Sequence, residues 1–147
     1  ASTVAREDRI RVAVLGGSFH PITNAHLLAA AEVLYADVVD EVWVIPCGSR
    51  PDKASLTMST ALRYLHCVEA IEEMFDENTP IRAVPAELYT SRALSSHHLL
   101  STLHYLHPTC SFSLVIGTDL VPTLPKWQHS SLLLEHSHFI ILPRPGY

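Results

Sequence analysis

The sequence predicts an α/β protein in which helices cover both faces of a five-stranded parallel sheet. Short runs rich in Val, Ile and aromatic residues alternate with longer segments of helical periodicity, a pattern typical of βαβ units. The chain has 147 residues, the length of one domain, and 48 % of them are hydrophobic, which is enough to form a core. We therefore expect residues 1–147 to form a single domain with three layers, α/β/α.

Each predicted strand is a short apolar run that is followed by Gly or Pro, the residues that most often interrupt regular structure. A parallel sheet that is covered on both faces needs continuous apolar runs, because both faces of its strands are buried. The five runs are Ile10–Leu15, Glu41–Pro46, Ile81–Val84, Phe112–Ile116 and Phe139–Leu142.

Each predicted helix has apolar residues three or four positions apart, which places them on one face. The first helix is expected from Asn24 to Val38, with Thr23 or Asn24 as its N-cap. Its predicted buried face is Leu27, Leu28, Ala31, Leu34, Tyr35 and Val38. The second helix is expected to bury Leu62, Leu65, Val68, Ile71 and Phe75. The third begins near Ser95 or Ser96 and is expected to bury Leu99, Leu100, Leu103 and Leu106. A short fourth helix is expected through Leu132 to Leu134.

Composition and charge exclude several classes of function. The net charge is −5, whereas a protein that binds a nucleic-acid backbone normally carries a basic patch. Ten histidines qualify this argument, because their full protonation would reverse the sign of the net charge. No apolar run approaches the roughly 18 residues of a membrane span, and residues 1–11 are too polar for a secretory signal. Three cysteines without a metal or redox spacing fit a reducing compartment, so we expect an intracellular protein, cytoplasmic or nuclear.

The most informative segment, Gly16–His26, lies between the first predicted strand and the first helix. Ligands of parallel sheets bind outside the carboxyl ends of the strands, which is where this segment begins. Glycine lets backbone N–H groups approach an anion, and a helix start adds unpaired N–H groups and the positive end of its dipole. His26, in the first helical turn, would point toward the same anion. The residues alone fit either a phosphate-binding loop or a tight turn with a surface histidine.

The segment GGSFHPITNAHL, residues 16–27, resembles the GG[ST]F-x-P-[IV]-[HT]-x-x-HL signature of the nucleotidyltransferase superfamily built on the HxGH motif. The Thr-Asn-x-His form at residues 23–26 is similar to eukaryotic nicotinamide and nicotinate mononucleotide adenylyltransferases. Downstream, Ile116–Leu120, Leu124–Trp127 and Arg144–Tyr147 resemble the IGxD, LPKW and RPGY segments of the bacterial nicotinate enzymes. The resemblance spans residues 10–147 and implies a Rossmann-like domain.

The resemblance also implies a role for each matching position. The residues expected to bind ATP or its phosphates are Gly16, Gly17, Ser18, Phe19, Thr23, Gly117 and Asp119. The residues expected to act on the transferring phosphate are His26, Lys53 and His20. Asp119 would contact the adenosine ribose. Ser96 and Trp127 would hold the mononucleotide, with the indole stacked on its charged pyridine ring.

Each of these positions also has an ordinary structural explanation. Trp127 could fill a loop, Lys53 could be a solvated lysine, and Asp119 could cap the next segment. Trp43 is expected in the core, and Cys47, at a strand end without a nearby base, is expected to be inert. Six further histidines are expected to be exposed rather than to bind metal: His97, His98, His104, His107, His136 and His138.

The chain departs from the family pattern at three places. His20 stands where the family usually has Asn or Asp, and Leu94–Ser96 replaces its Ser-Tyr-Thr pattern. The SSTxxR motif that grips ATP is absent up to Tyr147, the last residue of the sequence. The resemblance therefore implies a domain that is truncated at its C-terminal end.

The predicted reaction is Mg²⁺-dependent transfer of an adenylyl group from ATP to nicotinamide or nicotinate mononucleotide, with release of pyrophosphate. Mg²⁺ would arrive with ATP, and no metal site of the protein itself is expected. The amide and acid substrates stay open, as do related pantetheine-phosphate adenylyltransferases, cytidylyltransferases and a non-catalytic nucleotide-binding module. Neither a nucleic-acid nor a membrane partner is expected, and the sequence is compatible with an oligomer.

Overall fold

The structure, a computed structural model, describes residues 8–143, so the predicted RPGY segment lies outside the described residues. It contains one five-stranded, all-parallel sheet with the order β3-β2-β1-β4-β5, which confirms the predicted fold class. The strands are β1 (Ile10–Gly17), β2 (Glu41–Pro46), β3 (Ile81–Ala83), β4 (Cys110–Gly117) and β5 (His138–Leu142). The helices are α1 (Asn24–Tyr35), α2 (Thr60–Met74), α3 (Ser96–Leu106) and α4 (Ser130–His136), and a 3₁₀ helix spans Thr118–Lys126.

The central strand β1 pairs with β2 on one side and with β4 on the other. The chain moves outward from β1 to β2 and β3, then returns to place β4 against the opposite edge of β1. The carboxyl ends of β1 and β4 therefore flank the point where the strand order reverses. In open parallel sheets this is where ligands bind.

Alternate residues of β1 face two separate parts of the core, as a pleated strand requires. Val12 and Val14 lie in the cluster formed with α3 and α4, which also buries Trp43 as predicted. Ala13 lies in the opposite cluster, formed with α1 and α2. Helices thus cover both faces of the sheet, which confirms the three-layer prediction.

The predicted buried face of α1 is wrong in part. The helix buries Leu27, Ala30 and Val33, while Leu28 and Tyr35 are 62 % and 73 % exposed. The helix ends at Tyr35, so Val38 lies beyond it. Apolar residues occur nearly all around this Ala-rich helix, and periodicity therefore cannot choose between neighbouring stripes. The small Ala30 faces the sheet because it permits close approach of helix and strand.

The other helices give a mixed outcome. In α3 the predicted Leu99, Leu100 and Leu103 are buried, but Leu106 in the last turn is exposed. In α2 the predicted Ile71 is buried, whereas Leu62 and Leu65 are exposed. The side chains that α2 buries are Arg63, Cys67 and Ile71. None of the helices described within residues 8–143 has the length and apolarity needed to cross a membrane.

Candidate active site

The loop after β1 is anchored by Phe19. Its backbone has φ of 46°, a left-handed conformation that turns the chain sharply. Its ring is buried and packs edge-on against the ring of His26, with centroids 5.0 Å apart. A Cβ on Gly17 would lie 3.3 Å from the Phe19 ring, so the absence of a side chain at Gly17 lets the turn close. The backbone of residues 17–19 is thereby held at the carboxyl end of β1, beside the start of α1.

His26 is fixed to the start of α1 by its own helix cap. The Thr23 backbone N–H donates to His26 Nδ1 at 2.9 Å, and Thr23 Oγ1 lies 3.1 Å from the same nitrogen. Thr23 is the N-cap residue, as predicted. A nitrogen that accepts a hydrogen bond carries no proton, so the neutral imidazole has its proton on Nε2. The Thr-Asn-x-His spacing thus orients the ring and selects its tautomer.

Lys53 reaches the same loop from the segment after β2. Its Nζ donates to Ser18 Oγ at 3.4 Å. Close by in sequence, Arg50 donates to both carboxylate oxygens of Asp52, which holds the pKa of that carboxyl below its usual value. The structure therefore brings together Lys53 and Ser18, which are 35 residues apart in the chain.

His20 lies in the loop after β1, and its Nε2 faces the segment before α2. The Met58 N–H donates to His20 Nε2 at 3.3 Å, and Thr57 Oγ1 lies 3.4 Å from it. His20 thus ties the phosphate-type loop to the connection between β2 and α2. The sequence predicted a role for His20 at the transferring phosphate, but not its contacts with Thr57 and Met58.

Ser96 and Trp127 line one cavity of about 820 Å³, together with Arg50 and Arg92. Ser96 is the first residue of α3, whose N-cap Ser95 accepts from the His98 N–H. The Trp127 indole N–H donates to Thr123 Oγ1 at 2.9 Å, and the half-buried ring packs against the core. The two residues predicted for the mononucleotide are therefore neighbours around one opening.

Gly117 and Asp119 follow β4 at the reversal point of the sheet. Gly117 ends β4 and is the N-cap of the 3₁₀ helix, and the half-buried Asp119 lies in that helix's first turn. The 3₁₀ helix includes both Pro122 and Pro125. Asp119 thus lies in a helical segment that starts directly after β4, the strand paired with β1.

Arg63 is a site residue that sequence reasoning missed. It is only 1 % exposed, and its guanidinium donates to the carbonyls of Ser18 at 2.9 Å and Met58 at 3.1 Å. It also donates to Thr60 Oγ1 at 3.1 Å and lies 3.5 Å from the Gly48 carbonyl oxygen. One buried cation therefore joins the loops that follow β1 and β2. Its only sequence signal is an arginine within an otherwise apolar stripe.

Glu87, a second residue to which the sequence assigned no role, is 2 % exposed and joins the loops after β2 and β3. Its Oε1 accepts from the N–H groups of Gly48 at 3.0 Å and Leu94 at 2.7 Å. Burial raises the pKa of this carboxyl, although both N–H groups and nearby Arg63 act in the opposite direction. A Cβ on Gly48 would lie 2.5 Å from Thr90 Oγ1, so these loops touch where only glycine fits.

Three histidines lie beside the Ser96–Trp127 cavity. The rings of His97, His98 and His129 have centroids 4.6–5.7 Å apart. His97 is half-buried and His98 is exposed. Within residues 8–143, no three His, Cys, Asp or Glu side chains are grouped so as to hold a metal ion.

The fold and the helix-start loop at the reversal point are those of a Rossmann-like nucleotidyltransferase. A family model described as cytidylyltransferase-like matches residues 14–147. The probable nicotinate-nucleotide adenylyltransferase of Oceanobacillus iheyensis is 35 % identical over 136 residues, which cover 92 % of this chain and 69 % of that protein. The nicotinate-nucleotide adenylyltransferase of Bacillus subtilis is 30 % identical, over 93 % of this chain and 71 % of that protein. The chain belongs to the cytidylyltransferase-like family and, within it, to the nicotinate-nucleotide adenylyltransferases.

Solved structures agree with this assignment. The Plasmodium falciparum nicotinic acid mononucleotide adenylyltransferase complexed with NaAD matches with a TM-score of 0.82 and 26 % identity. The match covers 95 % of this chain and 67 % of that one. The same Plasmodium protein complexed with APC matches with a TM-score of 0.79. The predicted family, fold and enzyme class are therefore confirmed.

Proposed function

We propose that this protein transfers the adenylyl group of ATP to nicotinate mononucleotide, giving nicotinate adenine dinucleotide and pyrophosphate. The observation that carries the proposal is the Thr23–His26 contact, which fixes the imidazole of His26 at the start of α1, the helix that follows the central strand β1. The names of the bacterial relatives and of the NaAD-bound Plasmodium structure favour the acid over the amide substrate. The sequence alone left that choice open.

The chemistry needs positioning more than it needs a protein nucleophile. An oxygen of the mononucleotide 5′-phosphate forms a bond to the α-phosphorus of ATP, and the bond to the bridging oxygen of pyrophosphate breaks. The attacking phosphate is already ionised at neutral pH, so no general base is required. The protein accelerates the step by aligning both substrates and by stabilising negative charge as it moves to the leaving group.

The loop after β1 would supply most of that stabilisation. Backbone N–H groups of residues 16–19 and the N-terminus of α1 would face the phosphates, because a helix start favours anions. His26 would donate from Nε2, its Nδ1 being engaged by the Thr23 N–H. Lys53, already beside Ser18 Oγ, would bring a second positive charge. His20 would hold the loop and present its other ring nitrogen.

The two ends of the dinucleotide product would occupy the loops on either side. Trp127 and Ser96 line a cavity large enough for a pyridine ring and its ribose, and the indole face suits a cationic ring. Gly117 and Asp119, after β4, would contact the adenosine. Residues 1–147 would then act as one nucleotidyltransferase domain.

Nucleotidyltransferases of this family generally use a divalent metal ion with ATP. The donor set within residues 8–143 does not fit a resident metal cage, since no three ligating side chains are grouped there. Mg²⁺ is usually held by substrate phosphates and waters with one or two carboxylates. We therefore propose Mg²⁺ as part of the ATP substrate.

The decisive experiment incubates the protein with Mg-ATP and either nicotinate or nicotinamide mononucleotide and identifies products by mass. We expect the dinucleotide, formed faster from the acid. His26→Ala should lower kcat by more than about a hundredfold, because losing one aimed donor costs roughly 3 kcal/mol in the transition state. His66→Ala, which removes a half-buried histidine from α2, is the control and should leave kcat unchanged. Absence of product from folded protein would contradict the proposal and favour a nucleotide-binding module.

A further inference from the structure

A second cavity, of about 840 Å³, lies at the opposite end of the sheet from the candidate active site. It opens where β1, β4 and β5 begin, along the face of α3 from His97 to His104 and beside the C-terminal end of α4. We call it the basic cavity. Its lining comprises Arg9, Arg11, Val38, His97, Leu100, Ser101, His104, Ser111, Phe112, Ser113, His136, Ser137 and His138.

The polar part of this lining consists of cationic, titratable and hydroxyl groups, with no carboxylate among its described residues. Two of the basic groups have acidic neighbours just outside the cavity. Arg11 donates to Asp40 at 3.0 and 3.3 Å, and His136 Nε2 lies 3.9 Å from the Glu135 carboxylate. The groups that face the cavity without an ion pair to any described residue are Arg9, His97, His104 and His138.

Among residues 8–143, one basic group of the basic cavity has a donor without an acceptor. The Nε of Arg9 is buried and has no hydrogen-bond partner among residues 8–143. A buried N–H without an acceptor is costly, and a guanidinium more so than a neutral group. Burial of His104 beside Phe112, and the nearby charges of Arg9 and His138, lower the pKa of the His104 imidazole. An anion placed among these groups would accept from Arg9 and offset their mutual repulsion.

We infer that the basic cavity binds the phosphate group of a small organic phosphate. Arginine and protonated imidazoles, with serine hydroxyls between them, are the donors that phosphate oxygens accept from. A cation is excluded by the sign of the lining charge. The volume of the basic cavity exceeds what one phosphate fills and lies in the usual range of ligand sites. Val38, Leu100 and Phe112 offer an apolar surface to the organic part of the ligand.

This inference does not depend on the proposed function. The inference bears on the proposed function in one respect, because α3 carries Ser96 at its first residue and His104 in its last turn. A ligand in the basic cavity and a mononucleotide at Ser96 would therefore contact the same helix.

Histidine-selective NMR spectra of the full chain test the inference residue by residue. We would titrate inorganic phosphate, ribose 5-phosphate and ribose at about pH 6 and about pH 8, with constant ionic strength. The imidazole signals of His104, His136 and His138 should shift saturably with ribose 5-phosphate, more weakly with inorganic phosphate, and not with ribose. Binding should be tighter at the lower pH, because protonated imidazoles add positive charge. The signals of His20 and His26 report the candidate active site separately.

The double variant Arg9→Gln/His104→Gln should weaken this binding at least about tenfold. Arg82→Gln/His66→Gln, which removes one arginine and one histidine from other elements, should leave it unchanged. His138→Gln gives a second, independent loss if the double variant does not fold. Phosphate-dependent shifts confined to His20 and His26, or unchanged affinity in the double variant, would overturn the inference. Equal affinity for inorganic phosphate and ribose 5-phosphate would contradict the inference that the cavity also contacts the organic part of the ligand.

Discussion

The two ends of the sheet differ in how the buried nitrogens of their arginines are hydrogen-bonded. At the carboxyl end, Arg63 is enclosed but donates to carbonyls of two loops and to a hydroxyl. At the amino end, the buried Nε of Arg9 has no acceptor within residues 8–143. The first arrangement stabilises loops before any substrate arrives, whereas the second leaves a donor unused and is where we infer a ligand. Burial of charge by itself therefore does not indicate a function, but the state of its hydrogen bonds does.

The largest expected effect is that of Arg63→Met. It leaves the Ser18 and Met58 carbonyls without their donor, so unfolding free energy should fall by about 3 kcal/mol or more. Urea denaturation measures this change, and KM for ATP should rise because the loop at Ser18 is released. Arg63→Lys should recover part of both effects.

Arg82→Met is the matched control for this variant. Arg82 is exposed and pairs with Glu41, and a surface ion pair contributes less than about 1 kcal/mol. Equal losses of unfolding free energy in the two variants would show that the buried hydrogen bonds of Arg63 contribute no more stability than a surface ion pair.

Gly48→Ala should have the next largest effect. The added Cβ would lie 2.5 Å from Thr90 Oγ1 and 3.1 Å from the Arg92 carbonyl oxygen, so the loops after β2 and β3 must separate. We expect a loss of about 1–3 kcal/mol, measured by thermal unfolding. Gly16→Ala is the control, since its Cβ would meet only the Ile45 carbonyl oxygen at 3.9 Å. A neutral Gly48→Ala would mean that the loops are not rigidly joined.

Thiol labelling distinguishes the open carboxyl end from the core. Cys67 is fully buried, and burial raises the pKa of its thiol to about 11, so it should react only on unfolding. Cys110 is also buried and should behave similarly. The half-buried Cys47 should react first, and ATP should protect it, because its Sγ lies 4.0 Å from Ser18 Oγ. Labelling of Cys67 at the rate of Cys47 would contradict this ordering.

The smallest expected effect is a pH dependence at the amino end. The pKa of His104 is lowered in the folded state, so the unfolded chain takes up this proton more readily. The stability contributed by neutral His104 is present above about pH 6.5 and is lost as the pH falls toward the folded pKa. Melting temperatures between about pH 8 and 5 should show this slope, and His104→Gln should flatten it. Added phosphate should also flatten it, which links the slope to the basic cavity.

Much of the fold could be predicted because its signals are local. The predicted β2, Glu41–Pro46, coincides with the observed strand, and the other strands differ by only a few residues at their ends. Apolar runs and the Gly or Pro after them set these bounds. The buried stripe of α1 was not predictable in the same way. Leu27 and Leu28 are equally apolar, and only docking against the sheet decides which of them is buried.

The sequence by itself determined the segment that most closely matches the family, including the Thr23–His26 cap, because residues three apart at a helix start meet without help from the rest of the chain. Only the tertiary structure decided that Arg63 and Glu87 enter the core and join the loops, since their partners Ser18, Gly48 and Leu94 lie elsewhere in the sequence. The basic cavity has the same origin. Its residues come from three strands, two helices and the loops next to them, and no local pattern encodes the space that they enclose.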